Sequence, residues 1–259
     1  MNQNDFYANP VFSKTNVPLN PSEIQWMYSG NGGSTPDEVG GPRIEKVRAF
    51  FRAIQERKKI LDAGCANGAI LKPLREQHEL HGVDISEVLV QQAAANGFTA
   101  KVHDLMSGPM PYPDETFDYV FSGETIEHQL DTDWLLREFN RIIKPGGSLV
   151  LTFPNIRTPV GIAMMLFLDM PPMYSARYRA SHFRDFTLRS IKLALSKHGF
   201  RHTKSFGSAF FLPRIGEVGS SLATHLPSWS HTVVTVAEKI KKSQYTPRNL
   251  AEDNLIFGN

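Results

Sequence analysis

The sequence predicts a doubly wound α/β fold, and three observations carry that prediction. Short apolar runs alternate with stretches of helical periodicity from residue 43 to residue 153, a rhythm that implies βαβ units, right-handed crossovers and a mostly parallel sheet. The chain has 259 residues, 41% hydrophobic and 21% charged. That is a globular composition, able to bury roughly 70–75% of its unfolded surface. Glycines and polar residues follow the apolar runs, and ligands of such sheets bind at the carboxyl ends of the strands.

Each element has its own signal. Residues 1–42 contain Pro10, Pro18, Pro21, Pro36 and Pro42 and the loop-forming run Ser29 to Pro36, so they predict a peripheral segment. Within it Trp26, Met27 and Tyr28 form an apolar island that covers either the core or a ligand. Residues 43–240 predict the main domain. Ile44, Val47, Phe50, Phe51 and Ile54 share one helical face, with Pro42 suited to the first turn. Lys59 to Ala63 predicts a first strand, and a helix is expected through Ile70, Leu71 and Leu74. Leu80 to Ile85 predicts a second strand, then a helix capped by Ser86 and stopped by Gly97. Thr99 to Leu105 and Phe117 to Ser122 predict the third and fourth strands, and Asp131 to Ile143 the next helix. Lys144 to Gly147 predicts a turn into a fifth strand, Ser148 to Phe153. Pro154, Pro159, Pro171 and Pro172 then surround an apolar stretch, which predicts a lid insertion over residues 156–186. Thr187 caps a helix that Gly199 stops; Phe200 to Phe211 predicts a strand, Pro213 to His225 a short helix and His231 to Ala237 a last strand. Residues 241–259 are a polar tail.

Composition excludes several classes of function. The formal charge of +2, from 28 bases and 26 acids, argues against a nucleic-acid coat. The single cysteine, Cys65, excludes an internal disulfide framework and any site of several thiolates. The longest apolar run, Val160 to Leu168, falls short of the roughly 20 residues of a membrane span. No basic region followed by an apolar run opens the chain, so a cytoplasmic protein is expected. No His, Asp or Glu spacing typical of a metal site is present, so no metal is expected.

Four motifs carry chemistry. Ile60-Leu-Asp62-Ala-Gly64-Cys-Ala66-Asn-Gly68 delivers an acid from a strand into a glycine turn, whose backbone can approach a ligand closely. Asp62 repels a pyrophosphate and attracts a cationic ligand. Asp84 ends the second strand, where an acid is placed to accept ribose hydroxyl protons. Asp104 and Leu105 end the third, where an acid can accept from an adenine amino group. Ser122-Gly-Glu124-Thr-Ile-Glu127-His128 follows the fourth, at the reacting end of the ligand.

Together these residues resemble the class I S-adenosylmethionine-dependent methyltransferases. The likeness is nearest to the small-molecule branch that includes ubiquinone-biosynthesis and sugar-modifying enzymes. It covers residues 43–155 and includes Arg141-Ile-Ile-Lys-Pro-Gly-Gly-Ser-Leu-Val-Leu151; His182-Phe-Arg-Asp185-Phe-Thr187 also looks like that branch. The resemblance implies a Rossmann-like, seven-stranded sheet with an antiparallel last strand, and S-adenosyl-L-methionine as cofactor. It implies that Asp62, Gly64, Cys65, Ala66 and Gly68 line the methionine part and that Asp84 and Ile85 serve the ribose and the adenine edge. Asp104 and Leu105 would hold the adenine. Ser122 and Gly123 would contact the sulfonium region, with Glu124 and His128 near the transferred methyl. Ala66 departs from the family pattern, which often has glycine there.

The expected reaction is methyl transfer to a small-molecule or glycan acceptor, on a hydroxyl. A hydroxyl nucleophile needs a base of suitable pKa, which points to histidine. His128 and His182, with Glu124, are the expected catalytic residues. Met164, Met165, Phe167, Met170 and Met173 suggest a lid adaptable to an apolar or lipid-linked acceptor. Between Arg177 and Lys204 stand eight bases and one acid, a local field suited to a phosphate-bearing acceptor. Arg177, Arg179 and Asn155 are the expected substrate-binding residues. Methylation of RNA or protein, and cofactor binding without methyl transfer, are the competing expectations.

Overall fold

The computed structural model describes residues 40–170, 182–212 and 214–244. The apolar island Trp26–Tyr28, Met173, Arg177 and Arg179 lie outside the described residues, as does most of the polar tail. The helices are α1 (Pro42–Arg52), α2 (Glu87–Ala95), α3 (Thr132–Ile142), α4 (Pro159–Leu168), α5 (Leu188–Lys197) and α6 (Ser220–His225). The strands are β1 (Lys59–Ala63), β2 (Glu79–Asp84), β3 (Thr99–Val102), β4 (Phe117–Gly123), β5 (Ile143–Pro154), β6 (Phe200–Gly207), β7 (Phe210–Leu212), β8 (Gly216–Val218) and β9 (Thr232–Lys239).

Seven strands make one sheet in the order β3-β2-β1-β4-β5-β9-β6. The pairs from β3 to β5 are parallel, and β9 runs antiparallel to both β5 and β6. The strand order therefore reverses between β1 and β4, and the crevice at that switch is where such a sheet binds its ligand. Successive strand residues face opposite layers. Ile60 packs with Val47, Phe51, Leu71 and Phe98 on one side. Leu61 packs with Leu136, Phe139 and Ile191 on the other. Both faces are thus covered, which is why the central strands read as continuous apolar runs.

Local chemistry starts and stops the helices where expected. Ser86 Oγ accepts from Leu89 N at the start of α2, Asp131 from Trp134 N at α3 and Thr187 from Ser190 N at α5. Five expectations fail. No α-helix follows β1: residues 64–77 make turns and a single 3-10 turn, Lys72–Leu74. Pro73 lacks the N–H that would continue a helix, and Arg48 donates to the carbonyls of Ala69 and Ile70 instead. The third strand ends at Val102 because Asp104 turns the chain, accepting from Met106 N. Lys144 to Gly147 lies within β5 as a bulge, where the pairing with β4 jumps from Phe117↔Ile143 to Tyr119↔Ser148. The expected strand from Phe200 breaks after Gly207, and part of the expected helix 213–225 is β8, paired with β7 as a small hairpin.

The apolar helix α4 does not tuck into the core. Only Gly161 on it is buried, and Phe167 is 82% exposed.

Candidate functional site

The carboxyl ends of β1, β2 and β4 converge at the switch in strand order. Asp62 is buried at the end of β1, in register with Gly82 of β2 and Phe121 of β4. Burial first, and then the nearby Asp84, push its carboxyl up to about 8. A buried acid in this condition favours a cationic partner.

The turn after β1 is hooked onto β2. Gly64 N and Cys65 N donate to Val83 O at 2.9 and 3.0 Å, and Ala66 N donates to Asp84 Oδ2 at 2.8 Å. Gly68 N closes the turn on Cys65 O at 2.8 Å. Gly64 and Gly68 have φ of 84° and 76°, and a Cβ at Gly68 would meet the Phe98 ring at 2.6 Å. Glycine is needed there on both counts. Ala66 stands at φ 47°, so the position that departs from the family pattern does adopt the left-handed backbone that favours glycine.

The turn opens no helix, and the amides of Gly64, Cys65, Ala66 and Gly68 are engaged internally, so no helix N-terminus stands there to meet a ligand carboxylate. The Cys65 thiol faces the core, where a Cβ on Gly82 would meet its Sγ at 2.7 Å; only its backbone faces the turn. Burial pushes that thiol far up, so it is inert at neutral pH.

Asp84 accepts from Ala66 N and, at 2.9 Å, from Ser86 N. Each carboxylate oxygen keeps a second lone pair for a ligand hydroxyl. Next to it Ile85 is exposed, while Leu105 is buried beyond β3. Asp104 holds its own turn together through Met106 N. Ser122 is buried and its hydroxyl donates to Ala63 O at 3.1 Å, so it ties β4 to β1 rather than offering a free group. Gly123, at the end of β4, pairs in register with Thr152 of β5.

One site residue escaped the sequence reading. Arg43, in the first turn of α1, donates to Thr152 Oγ1 at 3.3 Å, and its charge favours the ionised forms of both Asp62 and Glu127. The available signal was a base in a first helical turn, where the helix dipole disfavours one.

Beyond β4 the chain turns sharply. Glu124 has φ 51°, and its N–H donates to Thr152 O and Thr152 Oγ1 at 3.0 and 3.1 Å. A 3-10 turn, Ile126–His128, follows. Its Glu127 carbonyl accepts from Phe183 N at 2.9 Å and Arg184 N at 3.3 Å. Arg184 also donates to Leu130 O. These bonds carry residues 182–184 onto the turn and set the His182 ring against His128, centroids 4.8 Å apart at 77°. Glu127 is 1% exposed, and neither of its carboxylate oxygens has a hydrogen-bond partner among the described residues. Burial first, then the Glu124 charge, push it up to about 9.

The expected substrate residue Asn155 is a correction. It is fully buried, donates to Ser228 O and Ser230 O at 3.1 and 2.9 Å, and accepts from Arg157 N. Its NH2 group is consumed in holding the 228–230 loop to the end of β5, and the whole residue is closed off from solvent.

Comparison with known proteins places this arrangement. Residues 41–205 match the family model described as a methyltransferase domain. Over 134 residues the chain is 33% identical to 27-O-demethylrifamycin SV methyltransferase of Amycolatopsis mediterranei, covering 48% of this chain and 49% of that protein. It is 29% identical over 123 residues to demethylmenaquinone methyltransferase of a Geobacillus species, covering 44% and 53%. The chain thus spans about half the length of these relatives. A SAM-dependent methyltransferase structure from Thermotoga maritima superposes with a TM-score of 0.57 at 21% identity, over 77% of this chain and 89% of that one. The [4+2]-cyclase SpnF superposes with a TM-score of 0.56 at 19% identity, over 76% and 81%.

Proposed function

This chain belongs to the methyltransferase domain family, and on that premise we propose that it methylates a hydroxyl of a small-molecule or glycan acceptor with S-adenosyl-L-methionine. The observation that carries the proposal is the set of charges at the switch in strand order. Buried Asp62 calls for a cation, Arg43 offers one to a carboxylate, and Asp84 presents lone pairs beside the exposed Ile85. A zwitterionic amino-acid end and a ribose diol match that set in sign and order, so the residues fit the cofactor. The cofactor supplies a methyl carbon made electrophilic by cationic sulfur.

The chain's own work is to bind and align. Asp62 would take the ammonium group and Arg43 the carboxylate of the cofactor's amino-acid end. The acceptor enters from the side of Glu124, His128 and His182, and displacement requires its nucleophile in line with carbon and sulfur. The exposed helix α4 offers Leu166 and Phe167 as cover for an apolar acceptor. The relatives named above support a small-molecule acceptor, while SpnF is a reminder that this fold also hosts other chemistry.

The test joins calorimetry to transfer of a labelled methyl group into fractionated metabolites, glycans and lipids. Cofactor binding with label appearing in a hydroxyl of a small acceptor is expected. Tight binding with no label in any fraction would leave a cofactor-binding protein of other chemistry, and no binding would remove the proposal altogether.

A further inference from the structure

We propose that Glu127, His128 and His182 form a binding site for one divalent first-row transition cation, with open coordination positions for oxygens of the acceptor. One candidate ligand atom from each of these residues lies within 4.8 Å of the other two. They come from two separate segments, and the backbone bonds from Phe183 N and Arg184 N to Glu127 O hold those segments together. The placement is therefore built by the fold and is not a chance encounter of surface side chains.

The second observation is the state of Glu127. The residue is 1% exposed, and among the described residues both carboxylate oxygens lack a hydrogen-bond partner. Glu124 adds another buried oxygen without a partner among the described residues, on the same turn. A buried carboxylate without donors is costly unless a cation or a proton meets it. A cation held between Glu127 and the two imidazoles supplies the missing charge.

The donor set selects the ion. Two imidazoles and one carboxylate suit manganese, iron, cobalt or zinc better than calcium or magnesium, which favour all-oxygen shells. Metal–nitrogen and metal–oxygen bonds of about 2.1 Å require the three ligand atoms to draw in, a movement within reach of side-chain rotation. Three protein ligands leave positions open, in the manner of a catalytic rather than a structural site.

The consequence for the reaction rests on the methyl-transfer function proposed above; the cation site itself does not. A cation here holds the acceptor oxygen and lowers its pKa. The hydroxyl proton then leaves to water, and the freed oxygen pair forms the bond to the methyl carbon. The carbon–sulfur pair returns to sulfur, leaving a neutral thioether. His128 and His182 are thereby ligands, and neither needs to act as the base.

The experiment uses the full-length, tag-free chain, stripped with chelator and titrated with Mn2+ by electron paramagnetic resonance and with Co2+ by its visible absorption. One saturable site with nitrogen-ligated Co2+ bands is expected. Glu127→Gln, which keeps size and shape, and His182→Ala should each weaken Co2+ binding at least tenfold. His103→Ala, at a histidine beyond β3, should leave it unchanged. Cofactor affinity and thermal unfolding of each variant, measured without metal, verify that the fold is intact. A folded chain that binds cofactor but neither Mn2+ nor Co2+ overturns the cation site and leaves the methyl-transfer proposal standing. So does Co2+ binding that survives both Glu127→Gln and His182→Ala. Site-specific Co2+ binding without methyl transfer to any acceptor supports the cation site while removing its role in that reaction.

Discussion

Ala66 and Asp62 show how single residues carry this site. Ala66 holds φ 47°, where a side chain costs an L-residue about 1 kcal/mol or more. Ala66→Gly relieves that strain while keeping the N–H that binds Asp84. It is expected to raise stability by up to about 1 kcal/mol, read from the urea midpoint, and a loss instead would mean that the methyl group is packed. Asp62 titrates near 8 because burial and Asp84 both oppose its charge. An acid whose pKa is raised holds its proton in the folded state after the unfolded chain has lost it. Its contribution is therefore largest at low pH, declines as pH rises and levels off above about 8. The ligand-free protein should lose thermal stability from about pH 5 to about pH 8, and Asp62→Asn should flatten part of that decline. A cationic ligand group needs the ionised form, so cofactor affinity should strengthen with pH toward about 8, by up to about tenfold per unit. A dissociation constant indifferent to pH would sink the pairing of Asp62 with an ammonium group. The acids at the strand ends were legible in the sequence because a charged residue closing an apolar run has few structural uses. The place of Cys65 in the glycine turn was legible, but not the direction in which its thiol points.

At the scale of elements, Asn155 and the segment after β1 mark where local signals run out. Asn155 follows a strand, which is where ligand residues gather, yet its amide bridges two carbonyls of the 228–230 loop. Asn155→Ala leaves those carbonyls without partners in a buried place and should cost about 1–3 kcal/mol. Denaturant unfolding checks this, and a variant as stable as the parent with a raised acceptor KM would restore the substrate role. The helix expected through Ile70, Leu71 and Leu74 is only a 3-10 turn. Its apolar residues do reach the core, with Leu71 and Leu74 buried. Periodicity thus reported which residues turn inward, and Pro73 together with the Arg48 bonds decided the backbone. Capping residues did better: Ser86 and Thr187 cap helices as expected, because a cap acts within three residues of itself.

Across the whole molecule, the near-neutral charge conceals unequal parts. Between Arg177 and Lys204 the sequence packs eight bases, and three of the described ones point to different partners. Lys197 pairs with Asp133 at 2.7 Å and Arg201 with Glu238 at 2.6 Å. Lys204 sits over the Phe50 ring, 4.5 Å from its centroid. A continuous cationic surface is not what these three build. Acceptor affinity should accordingly change by less than about threefold between 50 and 200 mM salt, where neutralising many phosphates would cost about a thousandfold or more. A steep salt dependence would favour a nucleic-acid acceptor.

The sequence by itself determined the run of the seven sheet strands along the chain, the starts of the capped helices and the acids that close β1 and β2. Each of those depends on a period, a cap or a turn within a short window of chain. Only the tertiary structure decided that Arg43 reaches the strand ends, that Asn155 is a clasp, and that Glu127, His128 and His182 meet. The physical reason is separation along the chain. Residues 128 and 182 are separated along the chain by α3, β5 and α4, yet their rings meet beyond the end of β4. Backbone bonds to a single carbonyl, that of Glu127, then fix the approach.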